Sequence, residues 1–143
     1  MVAARFVLDA NIISELTKPR ADRGLLARFK RYRNQACTAS PVLHELHFGV
    51  EVLPEGARKR FLGSFLEGLL ASGLEVLPYD QRAAQWHAVE RARLHRAGKP
   101  RPFVDGQIAA IVAVNDAVLI TRNMADFAPF HDLRVRNWFG SVH

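Results

Sequence analysis

Phe6-Val7-Leu8-Asp9-Ala10-Asn11-Ile12-Ile13 is the stretch on which the reading of the fold turns. A short apolar run stops at an acidic residue and passes directly into a helix-compatible pattern, which predicts a buried first strand feeding a helix. Asp9 then stands at the carboxyl end of that strand. In open parallel α/β sheets ligands bind outside the carboxyl ends of the strands, so a carboxylate at this point is placed for chemistry.

Working outward, the chain alternates strands with helices. Asn11 to Thr17 predicts a short helix stopped by Lys18-Pro19, and Ala21 to Tyr32 an amphipathic, basic one. Gln35 to Thr38 predicts the second strand. Ser40-Pro41 marks a helix start, serine capping the free amides and proline standing at the first helical position. That helix runs to Leu53-Pro54 and carries Glu45 in its second turn. Glu55 to Ser72 is a further helix, Leu74 to Leu77 a strand, and Asp80 caps a long helix that ends at Gly98. Phe103 to Ala113, rich in small and apolar residues, predicts a helix packed closely on a sheet, with Asp105 at its start, where the macrodipole favours an anion. Ala117 to Ile120 and Leu133 to Val135 complete the strands, Asn123 and Asp126 following the former. The alternation argues an α/β fold with a mostly parallel central sheet covered by helices on both faces.

The 143 residues, read as one domain over 1–143, suffice for a core that buries roughly 70% of the unfolded chain's surface. Cys37 is the only cysteine, which excludes an internal disulfide and a multi-cysteine zinc site. The apolar run before Asp9 is too short for a secretion signal or a membrane span, so the expectation is a cytoplasmic protein without a membrane partner. Twenty Lys and Arg against fourteen Asp and Glu give a net charge of +6, an excess that favours polyanions or an acidic partner.

Against this basic background Asp9, Glu45, Asp105 and the Asn123/Asp126 pair each fall at a strand end or near a helix start. Singly, Asp9 and Asp105 serve equally well as helix caps and Glu45 as a solvated helix residue. Gathered at one sheet edge, they would repel one another and raise their own pKa values unless a cation neutralised them. Mg²⁺ prefers such oxygen ligands and is commonly held by one or two carboxylates plus substrate phosphates. Acidic centre and basic rim together point to phosphodiester hydrolysis. His44 and His47 flank Glu45 but lack the spacing of a zinc-protease helix. Trp86, Trp138 and Phe139 are expected in the core or a dimer interface, and Cys37 in the core.

The same residues carry a family resemblance. Leu8 to Leu16, Ser40 through His44-Glu45-Leu46 to Val50, Phe103-Val104-Asp105-Gly106-Gln107-Ile108-Ala109-Ala110, and Thr121-Arg122-Asn123-Met124-Ala125-Asp126-Phe127 resemble, in order, the successive signatures of PIN-domain ribonucleases. More narrowly the chain is similar to the VapC toxins of type II toxin–antitoxin systems. The resemblance implies a PIN-like three-layer α/β/α domain and an endoribonuclease dependent on Mg²⁺ or Mn²⁺. It also implies a homodimer neutralised by a VapB-type antitoxin, one of whose basic side chains enters the acidic pocket. Carried over by position, Asp9, Asp105 and Glu45 match the family's acidic metal ligands. Asn123 stands where many relatives have aspartate, with Asp126 one turn further on, and Ala10 replaces a commoner threonine or serine.

Two other functions compete. A phosphatase of the haloacid dehalogenase type needs a second aspartate two positions after the nucleophile, where this chain has Asn11. A catalytically weakened module that only binds nucleic acid or an antitoxin is kept open by Asn123 and Ala10, and would bind RNA unchanged in chelator without cutting it.

Overall fold

Three strands in the middle of the sheet are too apolar to face water on either side, and this decides the layering. In the computed structural model, which describes residues 4–141, β1 (Phe6–Leu8), β2 (Ala36–Ala39) and β4 (Val118–Ile120) are buried almost throughout. The expectation of one domain over 1–143 therefore extends, at 1–3 and 142–143, outside the described residues. β3 (Glu75–Leu77) and β5 (Val135–Arg136) form the more exposed edges of a five-stranded sheet ordered β3-β2-β1-β4-β5. Every pairing is parallel, with Phe6 beside both Ala36 and Val118. A parallel sheet buried on both faces is the arrangement near-continuous apolar strands dictate.

The intervening helices are α1 (Ala10–Leu16), α2 (Arg23–Arg31), α3 (Ser40–Glu51), α4 (Ala57–Ala71), α5 (Gln81–Arg96), α6 (Phe103–Val114) and α7 (Met124–Phe127). The chain steps outward from β1 to β3, then crosses back to β4 and β5, so the direction of travel reverses beside β1. Right-handed crossovers therefore put α1 to α4 on one face and α5 to α7 on the other. The reversal opens a crevice at the carboxyl ends of β1 and β4, the place where open α/β sheets bind ligands.

Asp80 caps α5 as predicted, accepting from the Ala83 amide at 3.0 Å, and Asp22 caps α2 by accepting from the Leu25 amide at 2.9 Å. Ser40 departs from expectation. The strand runs straight into α3, leaving Ala39 at the cap position, and the Ser40 hydroxyl accepts instead from the Tyr79 amide at 3.3 Å, tying α3 to the chain after β3. Trp138 is core, 4% exposed and packed on Phe6 and Tyr32. Trp86 is half-buried against Phe130. Cys37 is buried, and burial pushes its thiol pKa up to about 12, so it is an inert packing group. Among the described residues no helix is long and apolar enough to cross a membrane.

Candidate active site

Asp9 is the first residue beyond β1, and its backbone amide continues the ladder by donating to the Ile120 carbonyl at 2.9 Å. That bond locks the carboxylate to the end of β4. One oxygen, Oδ1, caps α1 by accepting from the Ala10 amide at 2.8 Å. The other, Oδ2, accepts from the Thr121 hydroxyl at 2.8 Å and from Asn11 Nδ2 at 3.3 Å. Asp9 thus caps α1 and is itself buried, so the helix-cap reading of the sequence is realised.

Thr121, wholly buried, is the junction. Its hydroxyl donates to Asp9 while accepting from Asn11 Nδ2 at 3.2 Å and from the Asn123 amide at 3.1 Å. Asn11 Oδ1 in turn accepts from the Arg122 amide at 3.0 Å. The polar turn after β4 is therefore stitched to the turn after β1. Thr121 and Asn11 belong to quoted motifs, but no pattern in either segment announces a contact across 110 residues.

The other carboxylates arrive from three different helices. Glu45 stands in the second turn of α3, solvent-accessible on one side. Asp105 lies in the first turn of α6, half-buried, and Asp126 on α7, largely exposed. Partial burial raises the Glu45 pKa, and the charges of Asp9 and Asp105 push it the same way. Asp105 is raised by burial, with Asp126 and Asp9 adding to the shift and Arg101 opposing it. Asp9 is raised by burial and by Asp126, against its three hydrogen-bond donors. Asp9, Glu45, Asp105 and Asp126 consequently form one electrostatic group. Asn123 is exposed, occupies the cap position of α7 without a side-chain capping bond, and contributes its backbone amide to Thr121.

Arg101 is the unexpected member. In sequence it follows the basic end of α5 with Arg91, Arg93, Arg96 and Lys99, yet its guanidinium lies beside two carboxylates of the acidic group. Nη2 is 3.5 Å from Asp105 Oδ2 and 3.4 Å from Asp126 Oδ1. Arg93 also turns from solvent, forming a two-pronged pair with buried Glu90 at 2.8 and 2.9 Å. Only the i,i+4 spacing of Arg101 and Asp105 could have signalled the first of these contacts.

An oxygen-only donor set whose carboxylate pKa values are raised first by burial and then by one another's charge suits a hard divalent cation. Among the described residues no three carboxylate, imidazole or thiol groups converge into a ready-made metal cage.

A match to the PIN domain model covers residues 6–128, from β1 through α7. The chain belongs to the PIN-domain family. VapC ribonuclease Y4jK of Sinorhizobium fredii is 34% identical over 124 residues, 85% of this chain and 89% of that protein. The tRNA(fMet)-specific endonuclease VapC of Salmonella typhimurium is 34% identical over 136 residues, 94% of this chain and 98% of that one. The crystal structure of DNA-bound VapBC from Salmonella typhimurium superposes with a TM-score of 0.80 at 30% identity, covering 95% of this chain and 99% of its counterpart. This PIN domain therefore has VapC relatives that align with it over most of their length.

Two consequences of the PIN-domain site are measurable. In Thr121→Val the Asp9 carboxylate loses its shortest side-chain donor and its pKa rises further, so the native state holds its proton to higher pH. The destabilisation, about 1 to 3 kcal/mol for a bond to a charged group, is expected to grow as pH rises. Urea unfolding in chelator at two pH values checks this, and an equal cost at both would refute the assignment. For Asp105 the sign is the same. Its native pKa lies above the ordinary 3.8, so the stability it confers is full in acid and is lost as pH rises through the native value. Chelated Asp105→Asn is therefore expected to gain in melting temperature over wild type as pH rises, and parallel curves would contradict it.

Proposed function

We propose that this PIN domain is an endoribonuclease toxin of the VapC type, dependent on Mg²⁺ or Mn²⁺, that hydrolyses phosphodiester bonds of tRNA or another structured RNA. The observation that carries the reading is the convergence of Asp9, Glu45, Asp105 and Asp126 from β1's end and three helices at the sheet's reversal point. It occurs in a chain otherwise in cationic excess. The names of the aligned relatives support the reaction class.

Asp9, Asp105 and Glu45 would hold the cation, with Asp126 completing the ring. A bound divalent ion supplies Lewis-acid polarisation of the phosphodiester and a water acidified enough to attack it. Asp9 is oriented by Thr121, Asn11 and the Ala10 amide, so its lone pairs are fixed before any ligand arrives. Glu45, the most accessible of these three, would reach the cation from the solvent side. Exposed Arg91 and Arg122, lying over Phe103 and Phe139 respectively, would meet backbone phosphates.

An antitoxin would occupy the groove between α1, α3 and α4. It has a volume of about 800 Å³ and is lined by Ile13, Leu46, Val50, Leu53, Phe61 and Phe65, with Glu45 at its edge. Phe61 is 56% exposed there, an apolar surface of the kind that marks a protein partner. The VapBC assembly of the aligned Salmonella structure supports a VapB-type occupant, whose apolar helix would fill the groove and present a basic side chain to Glu45.

The deciding experiment incubates antitoxin-free protein with total tRNA and ribosomal RNA across a Mg²⁺ and Mn²⁺ series and in chelator. Discrete cuts that vanish in chelator are expected. RNA binding without cleavage, unaffected by chelator, would instead favour the binding-only module.

A further inference from the structure

We propose that Arg101 is an internal counter-cation of the metal-free site, occupying the space between Asp105 and Asp126 that a divalent ion must take over. The inference rests on the metal-dependent reading above and concerns this chain's own side chain.

A single nitrogen, Nη2, faces both carboxylates, at 3.5 Å from Asp105 and 3.4 Å from Asp126. These separations are long for charge-assisted hydrogen bonds, which close to about 2.7 to 2.9 Å. The guanidinium therefore neutralises the pair without gripping either. The rest of the fork is poorly served, because Nε is buried and has no hydrogen-bond partner among the described residues. A buried donor left unpaired carries a desolvation cost that withdrawal of the side chain would relieve. Arg101 thus occupies a position that is electrostatically favourable and otherwise unsatisfying.

The backbone cannot follow the side chain. Arg101 lies between Pro100 and Pro102, and a residue before proline is held to extended conformations. Pro102 then stands at the cap position of α6. Exchange is confined to side-chain torsions, with the guanidinium swinging outward while Asp105 stays on its helix. A divalent ion seats oxygen ligands at about 2.1 Å with twice the charge, so it outcompetes a guanidinium at 3.4 to 3.5 Å. Part of its binding energy is nevertheless spent displacing Arg101. The consequence is a weaker apparent metal affinity, together with a site that does not unravel by repulsion when the metal is absent.

The test is Mn²⁺ binding followed by electron paramagnetic resonance on the full-length wild type, Arg101→Gln and Asp105→Ala. Arg101→Gln is expected to bind Mn²⁺ about fivefold more tightly, the scale of two partly exposed ion pairs. In chelator the same variant is expected to melt below wild type, and Mn²⁺ is expected to raise its melting temperature by a larger increment. If Mn²⁺ binding depends on Asp105 but is equal or weaker in Arg101→Gln, the counter-cation role is overturned and the metal-dependent reading stands. If wild-type binding is absent or indifferent to Asp105→Ala, both are overturned. Should Arg101→Gln fail to fold, Arg101→Met carries the test in the same direction, because it keeps an unbranched stem and removes the charge that faces both carboxylates.

Discussion

Asp105→Ala is expected to cleave structured RNA at least about a hundredfold more slowly than wild type, the loss typical when one electrostatic contributor to a transition state is removed. The expectation follows from position. Asp105 is the carboxylate through which Asp9, Glu45, Asp126 and Arg101 are all electrostatically connected. Removing it deprives a divalent ion of a central ligand and lets Arg101 relax toward Asp126 alone. The fold should survive, because the side chain is half-buried, caps no helix and contacts only Arg101 by hydrogen bond. Chelated Asp105→Ala should melt no lower than wild type at neutral pH, since a group whose charged form burial penalises has been removed. Full-rate, chelator-sensitive cleavage by the variant, purified in parallel with wild type to exclude contaminating nuclease, would show that the centre lies elsewhere.

What the sequence disclosed about this centre was governed by distance along the chain. The apolar run ending at Asp9, the small-residue segment around Asp105 and the polar turn after β4 are local patterns, and the five strands and α1 to α6 lie within a few residues of their predicted bounds, whereas the short helix α7 is not foreseen. The parallel sheet follows from the same patterns, because short strands separated by helices have few other solutions. Long-range polar contacts leave no such trace. The hydrogen bond from Thr121 to Asp9 joins residues 112 apart, and the tie from Ser40 to Tyr79 replaced a helix cap that local sequence favoured. Arg101 reads as one more cation after the basic end of α5, and only the fold brings it against Asp105 and Asp126. Asp126 is placed with Asp9 and Asp105 while Asn123 offers its backbone, a distinction set by the geometry of the four-residue α7 rather than by composition.

Gly106→Ala is expected to damage stability and activity together, for a reason the motif around Asp105 conceals. Gly106 is buried on the face of α6 that meets His87 of α5. A methyl group there would collide with His87 Nε2 and stand 2.6 Å from His87 Cδ2, a ring rather than a flexible side-chain tip. His87 has little freedom to yield. It is 3% exposed, hydrogen-bonded through Nδ1 to the Tyr79 hydroxyl at 2.8 Å, and packed against Phe103 at 4.8 Å between ring centroids. Relief therefore requires α6 to move away from α5, at a cost of about 1 to 3 kcal/mol for overpacking a dense interior. That outweighs the stabilisation of about 1 kcal/mol that alanine ordinarily gives over glycine inside a helix. Because Asp105 is the adjacent residue, the same displacement shifts its carboxylate relative to Asp9, which β1 and β4 hold in place. Urea stability and cleavage rate should both fall, and in a His87→Ala background the added methyl should no longer cost stability, because the space it needs is then empty. A stable, fully active Gly106→Ala protein would mean that α5 and α6 are not held at the spacing described, and that Asp105 is positioned by something other than this contact.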